Sequence, residues 1–149
     1  MTIILRPARS LDAGKIGGLM SDGNAANAWK PHLHSAAEDI SYCAKMIDCG
    51  WVTVACEDRL LLGFIARQED YIHALYVSAQ ARGSGVGRML LDDAKIGRNR
   101  LKLWTFQHNI AAQRFYLREG FTEDSRTDGH SNEEKLPDIN YIWSRKGKT

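Results

Sequence analysis

Apolar positions along this chain repeat first with period two, then with period 3.6, and the switches between them mark its elements. Thr2 to Arg6 is a short β-branched run stopped by Pro7. Ser10 stands where it can cap a helix reaching about Met20, ahead of Asp22-Gly23-Asn24. Ser35 and Glu38 form an S-x-x-E capping box. Ile40, Cys43, Ala44 and Ile47 then step at helical spacing, and Gly50 follows the end. Trp51–Cys56, Leu60–Ala66 and Tyr71–Val77 are three strands with tight polar turns, expected as an antiparallel meander. A glycine-rich loop from Arg82 to Gly87 runs into an apolar helix from Val86 to about Ile96. Strand Leu101–Phe106, helix Asn109–Glu119 and strands Phe121–Arg126 and Asn140–Ser144 complete the chain, the last two flanking a polar segment, Thr127–Asp138.

Helices, then strands, then strand–helix–strand–helix–strands predict one α/β domain over residues 1–149, with a mixed sheet and helices on both faces. A hydrophobic fraction of 44% and a charged fraction of 26% are ordinary for a soluble globular chain that folds without a metal or disulfide staple. The net charge of +2 is too small for a nucleic-acid partner, which needs a clustered basic stripe. No apolar run approaches the ~18–20 residues of a membrane span, and the first residues lack the basic start of a signal peptide. Cys43, Cys49 and Cys56 are odd in number, lack metal-type spacing and are expected as buried free thiols in a reducing cytoplasm.

The loop Arg82-Gly83-Ser84-Gly85-Val86-Gly87-Arg88 is where the pattern turns from structure to chemistry. Between a strand and a helix, glycines let the backbone approach a ligand, and the helix start adds amides and a positive dipole end. A phosphate or pyrophosphate is the natural guest; a plain flexible turn is the alternative. A P-loop would need Lys-Ser/Thr where Arg88-Met89 stands, and a Rossmann fingerprint would need glycine at 88.

Arg82-x-x-Gly85-x-Gly87 resembles the Q/R-x-x-G-x-G/A signature of the GCN5-related N-acetyltransferases (GNAT). Leu75-Tyr76-Val77 before it and Met89-Leu90-Leu91 after it are similar to that family's strand–loop–helix motif. Asn109-x-x-Ala112-x-x-Phe115-Tyr116-x-x-x-Gly120-Phe121 is similar to its second motif, in the family's order. Two departures stand out. Ser78-Ala79 replaces the frequent Asp-Pro, and His73 lies near the place where many members carry a glutamate base.

The resemblance implies a GNAT fold, its mostly antiparallel sheet splayed at a cofactor slot, and acetyl-CoA as co-substrate, its acetyl group passing directly to an amine. It implies cofactor contacts from Leu75, Tyr76, Val77, Arg82, Gly83, Ser84, Gly85, Val86, Gly87, Arg88, Asn109, Ala112, Phe115 and Tyr116. Within that set, Leu75 and Val77 would pair with pantetheine as an added strand would. Asn109 is equally a helix N-cap. Tyr116 matches the family's thiolate-protonating tyrosine, although Ala112, Phe115 and Tyr116 also share one helical face suited to core packing. His73 is the candidate base by its near-neutral titration; Glu69 or Asp70 through water, His108, and bulk water are the other routes.

For the acceptor, Trp29, His32 and His34, with Glu133, Glu134 and Asp138, lie in the segments that build the family's pocket. Carboxylates there would suit a cationic amine; a solvated acidic loop is the plainer reading. A small-molecule amine is the first expectation and a peptide lysine or N-terminus the second. A catalytically idle acyl-CoA-binding module is the third. Neither a metal cluster nor a membrane anchor is legible, and a homodimer is compatible with the chain.

Overall fold

The β-branched run at the start pairs antiparallel with a strand fifty residues on, Leu5 opposite Ala55. In the computed structural model, which describes residues 2–145, the strands are β1 (Ile3–Pro7), β2 (Val52–Glu57), β3 (Leu60–Gln68), β4 (Tyr71–Val77), β5 (Arg100–Phe106), β6 (Thr122–Thr127) and β7 (Asp138–Ser144). The helices are α1 (Ala13–Ala25), α2 (Ala36–Asp48), α3 (Val86–Lys95) and α4 (Ile110–Arg118). Among the described residues the sheet has the order β1-β2-β3-β4-β5-β7-β6. It is mixed, as expected: β1/β2, β2/β3, β5/β7 and β6/β7 run antiparallel, and β4 meets β5 in parallel where Tyr71 faces Lys102.

The chain forms two compact units. The first holds the residues up to Gln68 together with His73–Ala94; the second holds Glu69–Ile72 and the residues from Lys95 onward.

In the first unit, Val52, Val54, Phe64, Ala66 and Ala74 pack with Ile16, Met20, Cys43, Met46 and Ile47 of α1 and α2. The opposite side of β3 meets α3 at Gly63, where an added Cβ would lie 2.8 Å from the Tyr76 carbonyl oxygen and 3.2 Å from Val86. Helices therefore cover both faces of these strands. Gly63→Ala should lower stability by about 1–3 kcal/mol, because a backbone oxygen must move to admit the methyl. Urea unfolding monitored by circular dichroism measures it.

Local signals explain most boundaries. Ser35 caps α2 by accepting from the Glu38 amide at 3.1 Å, and Glu38 accepts from the Ser35 amide at 2.8 Å. Ser10 does not cap the first helix. It opens a single 3-10 turn, Ser10–Asp12, at whose end Asp12 accepts from the Arg9 amide at 2.7 Å and holds the Arg6 guanidinium at 2.8 and 3.1 Å. Two further expectations change. α1 continues past Met20 to Ala25, and α2 buries Asp39 in preference to Ile40 because Ser21 of α1 donates to Asp39 at 2.6 Å. Cys43 and Cys56 are buried thiols, whereas Cys49, just after α2, is exposed.

In the second unit β7 lies between β5 and β6, from Arg100 opposite Ser144 to Phe106 opposite Asp138. Leu101, Leu103, Tyr116, Phe121, Ile139 and Tyr141 are buried there. β6 is exposed along its whole length, with a register shift between Glu123 and Ser125 and an Arg126–Glu123 ion pair at 2.7 Å. No helix among the described residues is long and apolar enough to cross a membrane.

Candidate functional site

The glycine loop of the first unit has the geometry that its composition calls for. Gly83 and Gly85 hold φ of +79° and +88°, the left-handed region that glycine enters without a Cβ clash, and a Cβ built on either meets nothing within 4 Å. The space over these two residues is open, and a side chain would fill it. Arg82, Gly83, Ser84, Gly85 and Arg88 are exposed, while Val86 is buried and anchors the loop to the core. Gly85 contributes its carbonyl to the first turn of α3, accepting from the Met89 amide at 2.9 Å. Gly87 lies within that turn, so its backbone is helical. The N-terminal amides of a helix have no carbonyl partner inside it, so Val86 and Gly87 add donors and the positive end of the dipole. One amide of the loop is committed elsewhere: Ser84 donates from its backbone to the Ala81 carbonyl at 3.2 Å, and its hydroxyl turns to the same oxygen. Among the predicted residues, then, the open space lies over the glycines and the start of α3. A diphosphate ester fits this donor set in charge and room.

β4 leads into that loop. Tyr71, His73, Leu75 and Val77 alternate with buried Ile72 and Ala74. His73 is half-buried and stacked on Trp51, with centroids 4.7 Å apart and planes 7° from parallel. Its Nε2 lies 2.9 Å from Gln68 Oε1. Burial pushes this imidazole below its ordinary 6.5 and favours the neutral form.

Tyr76, between Leu75 and Val77, turns toward α1. Its ring stacks on Phe64 at 5.7 Å, and its hydroxyl donates to Asn24 Oδ1 at 3.0 Å. Gly23 lies so close that a Cβ there would be 2.6 Å from the Tyr76 ring. Lys30 Nζ donates to the same Asn24 oxygen at 2.8 Å. Gly23, Asn24, Lys30, Trp51 and Gln68 carry no motif, and no local signal marks them.

In the second unit Tyr116 is 9% exposed and sits in an aromatic cluster, edge-on to Phe115 at 5.2 Å and to Phe121 at 5.5 Å, and tilted against Tyr141 at 6.2 Å. Asn109 caps α4 through its side chain, accepting from the Ala112 amide at 3.1 Å. Asp70 is held by Arg98 Nε at 3.1 Å and Arg100 Nε at 3.0 Å, and these two guanidinium groups, Arg98 first, keep its carboxyl below the usual range. A carboxylate so paired is a weak proton acceptor. Glu69 is exposed at the turn, 3.7 Å from Arg98, and His108 is exposed before α4.

The acidic stretch divides. Asp138 is buried and accepts from Thr127 and, at 3.1 Å, from Asn132, so it ties its own loop together. Glu133 is exposed and Glu134 half-buried. In the first unit His32 and His34 are exposed, His34 lies 3.9 Å from Glu38, and Trp29 is half-buried. Among the described residues no group of three or more His, Cys, Asp or Glu is placed to hold a metal ion.

The chain is similar to known proteins. Residues 48–123, half of the chain, match the acetyltransferase (GNAT) domain family. The chain is 26% identical over 118 residues to the peptidyl-lysine N-acetyltransferase YjaB of Salmonella typhimurium, covering 79% of this chain and 78% of that protein. Its fold is similar to a GCN5-related N-acetyltransferase from Rhodopseudomonas palustris, with a TM-score of 0.80 and 21% identity over 97% of each chain. It is also similar to yncA, a putative acetyltransferase from Salmonella typhimurium determined with acetyl-CoA, with a TM-score of 0.75 and 17% identity over 100% of this chain and 97% of that one.

Proposed function

The chain belongs to the GNAT acetyltransferase family and is an acetyl-CoA-dependent N-acetyltransferase; on that premise we propose that its acceptor is the primary amine of a small molecule. The observation that carries the cofactor side is the open space over Gly83 and Gly85 at positive φ, directly before α3. Acetyl-CoA supplies an acetyl group activated as a thioester. The loop glycines and the first turn of α3 bind its diphosphate, and Leu75 and Val77 offer strand hydrogen bonds to its amides. Asn109, Ala112, Phe115 and Tyr116 are assigned to the same cofactor by the family motif they match.

The proton movements balance: a ring nitrogen of His73 takes one proton from the acceptor ammonium, directly or through a water, and the neutral amine bonds to the thioester carbon. As the carbon–sulfur bond breaks, Tyr116 delivers a proton from Oη to the departing sulfur and is restored by the second proton of the amine nitrogen. An alkylammonium is almost fully protonated at neutral pH, with a pKa near ~10, so a base that stays neutral there is needed. Burial keeps His73 in that form. The acid limb of kcat/KM should therefore lie below 6.5, the ordinary histidine value, and His73→Ala should remove it and depress the rate. The limb surviving in His73→Ala but vanishing in Glu69→Gln would move the base to Glu69.

The same displaced equilibrium acts on stability. Below 6.5 the unfolded chain takes up a proton that folded His73 resists, so stability falls as the pH drops through that value toward the lowered one.

Gly23 lets α1 pack closely against the Tyr76 ring of the cofactor strand, and the small acceptor is the reading we take first. A peptide lysine is the second reading, supported by what YjaB is named for. Release of free thiol from acetyl-CoA, followed against a panel of small amines and lysyl peptides, separates them. Turnover confined to the peptides would overturn the first reading.

A further inference from the structure

α2 stops at Gly50, whose φ is +77°; the Gly50 amide donates to Ile47 O at 2.9 Å and the Trp51 amide to Met46 O at 3.2 Å. This paired closure is the left-handed glycine stop of a helix, and it sets the direction of the residue that follows. Trp51 is tied on its other side as well, since its carbonyl accepts from the Arg67 amide of β3 at 2.9 Å. Its backbone is held by a helix and a strand together.

The indole then lies against His73 of β4, ring on ring, 4.7 Å apart and 7° from parallel. A stack this flat fixes the plane of the imidazole and leaves open which edge of the ring points where. Gln68, at the end of β3, supplies that second constraint, with Oε1 2.9 Å from Nε2. Plane and edge together leave the ring one orientation. The indole also covers one face of the ring against water, and burial is what pushes His73 below its ordinary value. The ionisable side chains on the elements around it are Asp48 of α2, Arg67 of β3, Glu69 and Asp70 of the turn, and Tyr71 of β4. Burial is the cause of the shift, and not a charge on any of these.

We propose that Trp51 and Gln68 are positioning residues for the base: the indole sets the plane of the His73 ring and Gln68 its rotation, so that the imidazole meets the acceptor ammonium in one fixed orientation. The inference rests on His73 being the base, as the proposed function has it, and adds two residues that no motif names. Neither has to touch acceptor or cofactor. Orientation counts because a misplacement of about 1 Å costs a reacting group roughly a hundredfold in rate.

The test follows two titrations side by side, the acid limb of kcat/KM and the His73 ring resonances in NMR. Gln68→Glu keeps the side-chain shape and puts a carboxylate at the atom beside Nε2. An opposite charge favours the imidazolium, so both titrations should move up by roughly half a pH unit, the scale of an exposed pair. Trp51→Leu uncovers the ring and should move both toward 6.5, with kcat down by roughly tenfold to a hundredfold and the KM for acetyl-CoA unchanged. Trp51→Phe keeps a flat ring and should recover most of the loss, and neither substitution should lower kcat further in a His73→Ala background. Should Trp51→Leu not fold, the exposed Gln68→Glu variant decides alone. Ring resonances and limb both unmoved in Gln68→Glu, or losses of equal size with and without His73, would overturn the positioning role while leaving His73 as the base. Ring resonances that move while the limb stays put would overturn His73 as the base, and the positioning role with it.

Discussion

Gly85→Val should weaken acetyl-CoA binding by roughly a hundredfold or more while the protein stays folded. Two effects add. Valine at φ of +88° is strained, and left-handed backbone costs an L-residue about 1–2 kcal/mol. That strain is relieved by moving the loop, which would disperse the amides we propose for the diphosphate. The isopropyl group also enters the space that the unsubstituted loop leaves open. Loss of two hydrogen bonds to a charged group, at ~1.5–3 kcal/mol each, gives the expected change in Kd. Gly97→Val is the control: its φ is +74°, and its Cβ also meets nothing within 4 Å. It should match the stability loss and leave affinity unchanged. Calorimetry on both variants decides it, and wild-type affinity in a folded Gly85→Val protein would remove the loop from the site.

Tyr116→Phe should lower kcat by ~10²–10⁴-fold, the usual consequence of losing a general acid. The ring itself is needed for packing against Phe115, Phe121 and Tyr141, and phenylalanine preserves it. Stability should change by about 1 kcal/mol or less, the worth of one neutral hydrogen bond. A residue that served only the core would give the reverse signature, with kcat intact and any loss confined to stability. Parallel thermal unfolding and stopped-flow thiol release distinguish the two. Wild-type kcat across the pH range in Tyr116→Phe would leave this side chain to the aromatic cluster alone.

What the sequence disclosed follows the range of the forces involved. The capping box at Ser35 and Glu38 is a contact between residues three apart, and it was legible as such. So were β4, the glycine loop and α3, whose order is written in turn chemistry and periodicity. The end of α1 was not legible. Gly23 and Asn24 look like a helix stop, yet the helix runs past both to Ala25. Gly23 serves as flat ground for the Tyr76 ring, and Asn24 binds its hydroxyl across 52 residues. On α2 the helical spacing pointed Ile40 inward, but it is 38% exposed, because Ser21 draws Asp39 to the interior. The strand order β5-β7-β6 has the same origin in distant pairing. For the site, the family motifs named the loop and Tyr116. The rank of the candidate bases came only with the fold, which pairs Asp70 with Arg98 and Arg100 and stacks His73 on Trp51.

The outermost strand β6 has a consequence for the solution behaviour of the molecule. A fully exposed border strand offers a row of backbone donors and acceptors to any extended chain that comes alongside, including another molecule's. Here the register shift after Glu123 interrupts that row, and the Glu123–Arg126 pair sets a bound charge on it. A neighbouring chain would have to desolvate that pair and follow an irregular line to zip on. The sheet is thus capped chemically where it is open sterically, which protects a concentrated sample against fibrous growth from this border without a covering helix.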